Sequence, residues 1–452
     1  MTIKKSFKFL FSAKHFYVFL FLVFLASFGY SLIHNIKPAV DARAYDTIAK
    51  NLVNFGEYRL GSENTLMEDD SIVKVGPGYE FFLAAVYSIF GEKTWIIWFL
   101  QSLFYSLTIL ILAILIEAFF GKGEREDWKK IYFVLIPAGF FIDMIELNAM
   151  LLSESLFIFL TSVSVLIFYS NLEKKDSRKS FFLGFILGIL YLVRPVALMI
   201  LFSFLSVLFF KKEYKTVLAV IFVFSALQVP WISRNYQVYD SILLTHTTAG
   251  GVDLLSGNYP GNHGEFRSDF DLYRETEEKS SNQIAFYDNS LKWFLDFAKE
   301  NPVSLSLVWT EKGIIFWSPT KTGGFWFHYF NSFEQTLTIL FSILSYVLIF
   351  GTALVYSLKT AKEKAKNTFS KAMIFSMIFL FLVSVITIVS SRYRITLLPF
   401  AVILSAGYWF SEKGEISWKM QLAPLLFFTI AASLDLYLQI DKFWQKIGTI
   451  IS

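Results

Sequence analysis

The chain has 452 residues, of which 55% are hydrophobic, 19% aromatic and only 17% charged, and its mean hydropathy is +0.52. Soluble domains carry about 25% charge, so 52 Phe and no long polar domain exclude a large soluble core and describe an all-α polytopic membrane protein. The net charge of +4 is small, and the absence of cysteine excludes disulfides, thiolate metal sites and a Cys nucleophile.

The first apolar run, 16–36, follows the basic flank MTIKKSFKF. It is longer than a signal-peptide core and has no A-x-A cleavage site, so it reads as a retained span. It gives way to DARAYDTIAKNLVNFGEY, headed by Asp41. An ionisable residue at the mouth of a span is costly to keep partly dehydrated and marks a functional candidate. The competing reading is a solvated helix-end residue or cap. Next comes GPGYEFFLAAVYSIFG, whose apolar part of about 14 residues makes about 21 Å of helix, short of a 30 Å hydrocarbon core. It is expected to be a juxtamembrane helix over 77–90, with Pro77 near its first turn.

Further apolar runs lie at 95–119, 131–148, 149–169, 181–193, 196–210, 216–232, 333–357, 372–390, 395–410 and 420–438. The links GKGEREDWKK, NLEKKDSRKS, KKEYK and KTAKEKAKNTFSK are lysine-rich, which places them and the N-terminus on the cytoplasmic side. Keeping all of them on that side requires 77–90 not to cross. It also requires 181–193 and 196–210 to form a hairpin turning at Arg194-Pro195. About eleven spans result, with the C-terminus outside. Asp41, Lys74, Asp143, Glu146, Arg194, Arg234, Arg392 and Arg394 then share the non-cytoplasmic face with two polar regions, 37–94 and 233–332. The chain divides into 1–232, the outer loop region 233–332, and 333–452.

Within the outer loop, TTAGGVDLLSGNYPGNHGEF reads as tight turns. After it, Ile284, Tyr287, Leu291, Phe294 and Leu295 fall at helical spacing, and 303–317 lies flat or dips into the membrane. The five His residues show no ligand spacing, so no metal site is assigned, although His246 and His263 share the loop. Nothing resembles a Walker loop or a dinucleotide fingerprint, which argues against direct use of ATP or a nucleotide sugar. No feature points to nucleic acid.

An outward cavity with one carboxylate and several Arg and Lys suits a reaction on an anionic lipid-linked substrate, because guanidinium groups hold phosphate in a bidentate way. A carboxylate takes the proton of an acceptor hydroxyl or amine, and inverting transfer needs a single base. Outward arginines also occur in transporters.

At this point the residues resemble a family. The Asp41 segment, KVGPGYEFFLAAVYSIFG, LLSESLFIFL, GFILGILYLVRP, VPWISRNY, SGNYPGNHGEF, ENPVSLSLVWTEKGIIFWSP and SRYRITLLPF occur in order over most of the chain. Together they resemble the GT-C class of polyprenyl-phosphate-sugar-dependent glycosyltransferases, in the family 39-like branch that includes protein O-mannosyltransferases and the lipid A aminoarabinose transferase. Lys74 stands where many relatives have Arg, and Glu80 where many have Pro.

The resemblance implies a GT-C fold and transfer of a sugar from a polyprenyl-phosphate donor, such as undecaprenyl phosphate. The acceptor is a glycan, lipid or protein of the cell envelope, on the outer face of the cytoplasmic membrane. It implies that Asp41 is the acceptor's base or orienting group, with Tyr45 one turn on shaping the pocket or anchoring at the interface. Lys74, Arg392 and Arg394 hold the donor phosphate or snorkel. On an extended segment Arg392 and Arg394 point the same way. Arg194 and Arg234 are donor contacts or carboxylate partners. Glu154, inside a span, requires Arg or polar partners. Asp143 and Glu146 are either a second acidic group or solvated surface residues. Some relatives use a divalent cation and others none, so no cofactor is assigned. Two other readings use the same charges: a lipid-linked-sugar flippase or transporter, and an envelope-polysaccharide polymerase or ligase.

Overall fold

The computed structural model describes residues 3–61, 66, 69–73, 76–244, 246–320, 329–362, 367–412 and 414–438. Among them every regular element is helical. The helices run α1 (Ile3–Phe11), α2 (Lys14–His34), α3 (Asp41–Phe55), α4 (Pro77–Phe90), α5 (Thr94–Phe120), α6 (Asp127–Gly139), α7 (Ile142–Asn148), α8 (Glu154–Glu173), α9 (Ser177–Val193) and α10 (Ala197–Phe210). They continue with α11 (Tyr214–Tyr239), α12 (Ala249–Asn258), α13 (Asp271–Glu278), α14 (Gln283–Glu300), α15 (Pro302–Trp317), α16 (Ser332–Lys362), α17 (Thr368–Ile386), a 3₁₀ helix Ser391–Leu397, α18 (Leu398–Phe410) and α19 (Trp418–Leu438).

Eight helices among the described residues are long and apolar enough to cross a bilayer, or nine if α6 and α7, bent by 46°, form one broken span. The expected count of eleven is not reached on length and composition, because α9 has 17 residues and α10 only 14. These two form the expected hairpin. Arg194 ends α9 and Pro195 cannot continue it. The α9–α11 pair is then parallel, with Gly184 against Val220 and Gln228 Nε2 donating to the Gly188 carbonyl at 3.4 Å. The short helix α4 spans Pro77–Phe90, as expected from its length and its Pro in the first turn.

Cross-helix contacts sort the bundle into two ends. Ser27 meets Ser102 at 2.9 Å, so α2 and α5 are antiparallel, as Ser106 bonding the Leu20 carbonyl also requires. Tyr169 bonds the Ala118 carbonyl at 3.1 Å and Phe159 stacks on Phe104, so α5 and α8 run parallel, while Asn171 bonding Ser180 at 3.2 Å turns α9 back antiparallel to α8. The four lysine-rich links lie together at one end. There Phe119 packs on Phe369, Phe120 on Phe410, and Lys175 pairs with Glu213 at 2.5 Å. Asp41, Glu154, Arg194 and Arg392 lie at the other. One hydrophobic core joins spans before and after the outer loop, from Phe16 through Leu112 and Phe204 to Tyr346 and Phe428.

The outer loop is helical and has its own small core of Val252, Leu255, Tyr273 and Phe286. Its amphipathic helix α14 is present, but its buried residues are Phe286 and Ser290, and Leu295 is exposed. The burial stripe is displaced from the spacing of Leu295 because α12 packs along the Phe286 face, with Gly251 against Tyr287.

Candidate active site

The site is built where four chain segments end. After α2 the backbone turns through Asn35 and Val40, both at positive φ, and α3 begins at Asp41. Glu154 opens α8, Arg194 closes α9, and Arg392 lies in the 3₁₀ helix, whose first turn is capped by Ser390 Oγ accepting from the Arg392 amide. These ends converge into one ionic chain. Arg392 Nη2 lies 3.0 Å from Asp41 Oδ2, and Arg392 Nε lies 3.2 Å from Glu154 Oε1. The same Glu154 oxygen receives Arg194 Nη1 at 2.7 Å, and Arg194 also donates to Ser153 Oγ at 3.1 Å. Two carboxylates thus neutralise two guanidinium groups.

Exposure is graded along the chain. The Glu154 side chain is 1% exposed and Arg392 12%, whereas Asp41 is 31% exposed. Asp41 faces a cleft bounded by 36–42 and 150–152, with Arg392 against it. The Tyr393 ring is touched by both arginines, with guanidinium carbons 5.6 and 5.7 Å from its centre. Tyr45 is buried against Tyr79. Burial pushes its hydroxyl well above the usual range, with the charges of Asp41 and Glu80 adding to the effect. It therefore remains a proton donor beside the ionic chain.

The glycines of KVGPGYEFF have a packing reason. A Cβ at Gly78 would collide with the backbone of Leu192 and Val193, the residues that carry Arg194. Gly78→Ala is expected to lower thermal stability by about 1–3 kcal/mol through overpacking, read as an earlier unfolding transition in detergent, with loss of activity before loss of fold. An unchanged transition would show that this contact is soft.

Other sequence-selected residues sit elsewhere. Arg394 does not point with Arg392. The segment is a 3₁₀ helix with three residues per turn, so positions two apart face different ways. Arg394 instead is buried, donates to the Ser318 carbonyl and stacks on Tyr346 at 4.3 Å. Arg234 lies in an aromatic cage of Tyr58, Trp231 and Tyr239 at 5.1–5.5 Å and donates to the Tyr58 carbonyl at 3.2 Å. It pins the first polar region to α11. Asp143 and Glu146 are fully buried rather than solvated, because the bend between α6 and α7 turns them inward. Glu146 accepts from Tyr329 at 2.5 Å. Glu80 is also buried and accepts from Tyr58 at 3.2 Å. Lys74 falls outside the described residues. His246 is buried against Gln228 and Tyr191, and His263 lies near Glu311, so the two occupy different surroundings.

Two further ionisable residues, in the outer loop, were not selected from sequence. Lys312 is buried in α15, with its ammonium bonded to Asn258 Oδ1 and to the carbonyls of Val385 and Thr387 at 2.7–2.9 Å. Burial pushes its pKa down to about 7. Its signal was a lysine inside the apolar run SLVWTEKGIIFW. The other is Asp253 of α12, the one Asp, Glu, Lys or Arg between Asp240 and Glu265.

Residues 74–233, less than half of the chain, match the family model described as dolichyl-phosphate-mannose-protein mannosyltransferase. This segment is thus similar to that mannosyltransferase family. In the matched segment lie Glu154 and Arg194; Asp41 and Arg392 lie outside it and are joined to it by the ion pairs. No curated protein matches the chain. Two solved structures are similar in outline. One is ArnT from Cupriavidus metallidurans bound to undecaprenyl phosphate, at 12% identity over 88% of this chain and 78% of that one, with TM-score 0.40. The other is the same protein in the apo state, at 13% identity over 94% and 78%, with TM-score 0.42. Likeness at this level transfers no residue role.

Proposed function

We propose that this protein is a GT-C glycosyltransferase that transfers a sugar from a polyprenyl-phosphate donor to a cell-envelope glycan, lipid or protein, on the non-cytoplasmic face of the cytoplasmic membrane. The observation that carries the reading is the Asp41–Arg392–Glu154–Arg194 chain at the bundle end opposite the lysine-rich links. Positive links favour the cytoplasm, which puts the site outside. The family model supports a donor of the polyprenyl-phosphate-sugar type.

The ionic chain suits this chemistry. The donor phosphate enters the cleft from the membrane and competes with Asp41 for Arg392, with Arg194 behind it. Asp41 is thereby released beside the acceptor. As the acceptor oxygen or nitrogen bonds to the anomeric carbon, the carbon–oxygen bond to phosphate breaks. Asp41 takes the acceptor's proton, and the guanidinium groups meet the charge growing on the departing phosphate. Glu154 holds the two arginines at a fixed separation, and Tyr45 shapes the pocket. Lys74 is proposed as a further phosphate contact.

Mass spectrometry of envelope glycans from cells with and without the protein tests the reading. One glycan, lipid or protein species should lose a single sugar when the protein is absent. An unchanged envelope, together with translocation of a labelled lipid-linked sugar in proteoliposomes, would replace the transferase with a flippase.

A further inference from the structure

Arg392 lies on a segment that the outer loop holds from both sides. Helix α17 ends at Ile386, and the last carbonyls of a helix have no partner within it. Lys312 of α15 supplies partners. Its fully buried ammonium donates to the Val385 carbonyl at 2.9 Å, to the Thr387 carbonyl at 2.7 Å and to Asn258 Oδ1 at 2.8 Å. Three acceptors match the three N–H groups of an ammonium, and a cation at a helix C-terminus complements the dipole. Asn258 in turn donates through Nδ2 to the Ile386 carbonyl at 2.8 Å. Further on, the Val389 amide donates to the Gly264 carbonyl at 2.8 Å. A Cβ at Gly257 would collide with the Thr387 carbonyl, and one at Gly264, whose φ is +75°, with the Lys312 stem. Glycine at both positions is what lets the loop approach this closely.

The far side of Arg392 is held by the same helix. Arg394 is 1% exposed, and its Nη1 donates to the Phe316 carbonyl at 3.4 Å and to the Ser318 carbonyl, at the C-terminal end of α15. Lys312 and Phe316 are about one helical turn apart. One end of α15 therefore fixes residues 385–387 and residue 394, with Arg392 between the two anchors. The Arg392 side chain runs the other way, to Asp41 and Glu154. A shift of about 1 Å takes a hydrogen bond out of range, so holding this backbone holds the guanidinium where it meets its partners.

We infer that Lys312 and Arg394 are positioning residues for Arg392, through which helix α15 of the outer loop sets the place of the donor-phosphate arginine. The inference rests on the transferase reading, in which Arg392 meets the donor phosphate. It adds that donor affinity is controlled from the outer loop, by two cations that do not touch the donor.

The test measures binding of undecaprenyl phosphate by the full chain in nanodiscs, with thermal unfolding followed alongside. Arg392→Ala should weaken binding about tenfold, the size of one hydrogen bond to a charged group, leaving the share that Arg194 supplies. Lys312→Met keeps the length of the side chain and none of its donors, and should weaken binding by a similar factor. In the Arg392→Ala background the same change should have little further effect, because residues acting through one another are not additive. A general loosening of the fold would weaken binding equally in both backgrounds. Lys312→Arg restores a cation with N–H donors and should recover most of the affinity, and Arg394→Met should behave as Lys312→Met does. If Lys312→Met does not fold, Asn258→Ala makes the same comparison more mildly, since it removes one acceptor of the ammonium and the bond to Ile386. The inference is overturned if the Lys312 variant, or Asn258→Ala in its place, binds like wild type, or if its loss is the same in both backgrounds. If wild type does not bind undecaprenyl phosphate, or Arg392→Ala binds it unchanged, the transferase reading loses its donor site. If Arg392→Ala weakens binding and only the Lys312 result fails, that reading stands.

Discussion

Asp41→Asn is expected to abolish sugar transfer while leaving donor binding intact or slightly tighter. Asparagine preserves the size of the side chain and can still accept a hydrogen bond from Arg392, which lies 3.0 Å from Asp41 in the resting chain. It cannot take up a proton under these conditions. A positioned general base contributes about 10²–10⁴-fold, so kcat should fall by that order. Donor KM should hold or drop, because the carboxylate that competes with phosphate for Arg392 has gone. Stability should change by less than about 1 kcal/mol, the range for a partly exposed ion pair, since the Asp41 side chain is 31% exposed. The measurement is a transfer rate with purified variant and lipid-linked donor, beside a binding titration. Transfer at near wild-type rate would remove Asp41 from the proton-transfer step.

How far the site was legible in sequence follows from what each residue depends on. The helix at Pro77 and the hairpin at Arg194-Pro195 depend on local apolar length and on proline, and both stand in the fold, whereas eight helices, or nine, among the described residues qualify as spans against the eleven expected. Charge bias sorted the links correctly to one end because it needs no knowledge of packing. The expectation that Glu154 must find Arg partners also held. A buried carboxylate demands compensation, and Arg194 and Arg392 provide it.

Side-chain direction was less accessible. Arg392 and Arg394 would share a face on extended backbone and do not on a 3₁₀ turn, and nothing in SRYRITLLPF separates the two locally. Arg234 looked equivalent to Arg194 as a cation outside a span, yet Tyr58 and Trp231 from separate segments enclose it. Asp143 and Glu146 lie in a short link that reads as surface until the bend between α6 and α7 is known. Lys312 and Asp253 were not selected because the surroundings of both depend on where the outer-loop helix α12 docks, against residues more than a hundred positions away.

Glu154→Gln is the second large effect, and it separates the ionic chain's structural role from its chemical one. One oxygen of Glu154 receives both Arg194, at 2.7 Å, and Arg392, at 3.2 Å, with the side chain 1% exposed. Removing its charge leaves two guanidinium groups close together with only Asp41 to balance them. Breaking a buried pair in this way costs about 3–5 kcal/mol, so unfolding in detergent should begin several degrees earlier. The loss should not add to that of Arg194→Met. With one cation removed the remaining repulsion falls, and residues sharing a network couple by about 0.5–3 kcal/mol. Undecaprenyl phosphate offers an independent check. If its phosphate sits against these arginines, it restores the missing negative charge, and a ligand that binds only the folded state raises stability by mass action. The thermal shift it produces should therefore be larger in Glu154→Gln than in wild type. A Glu154→Gln protein that unfolds with wild type would show that Glu154 does not hold the arginines. An equal lipid-induced shift in both would place the phosphate away from the Arg194–Arg392 pair.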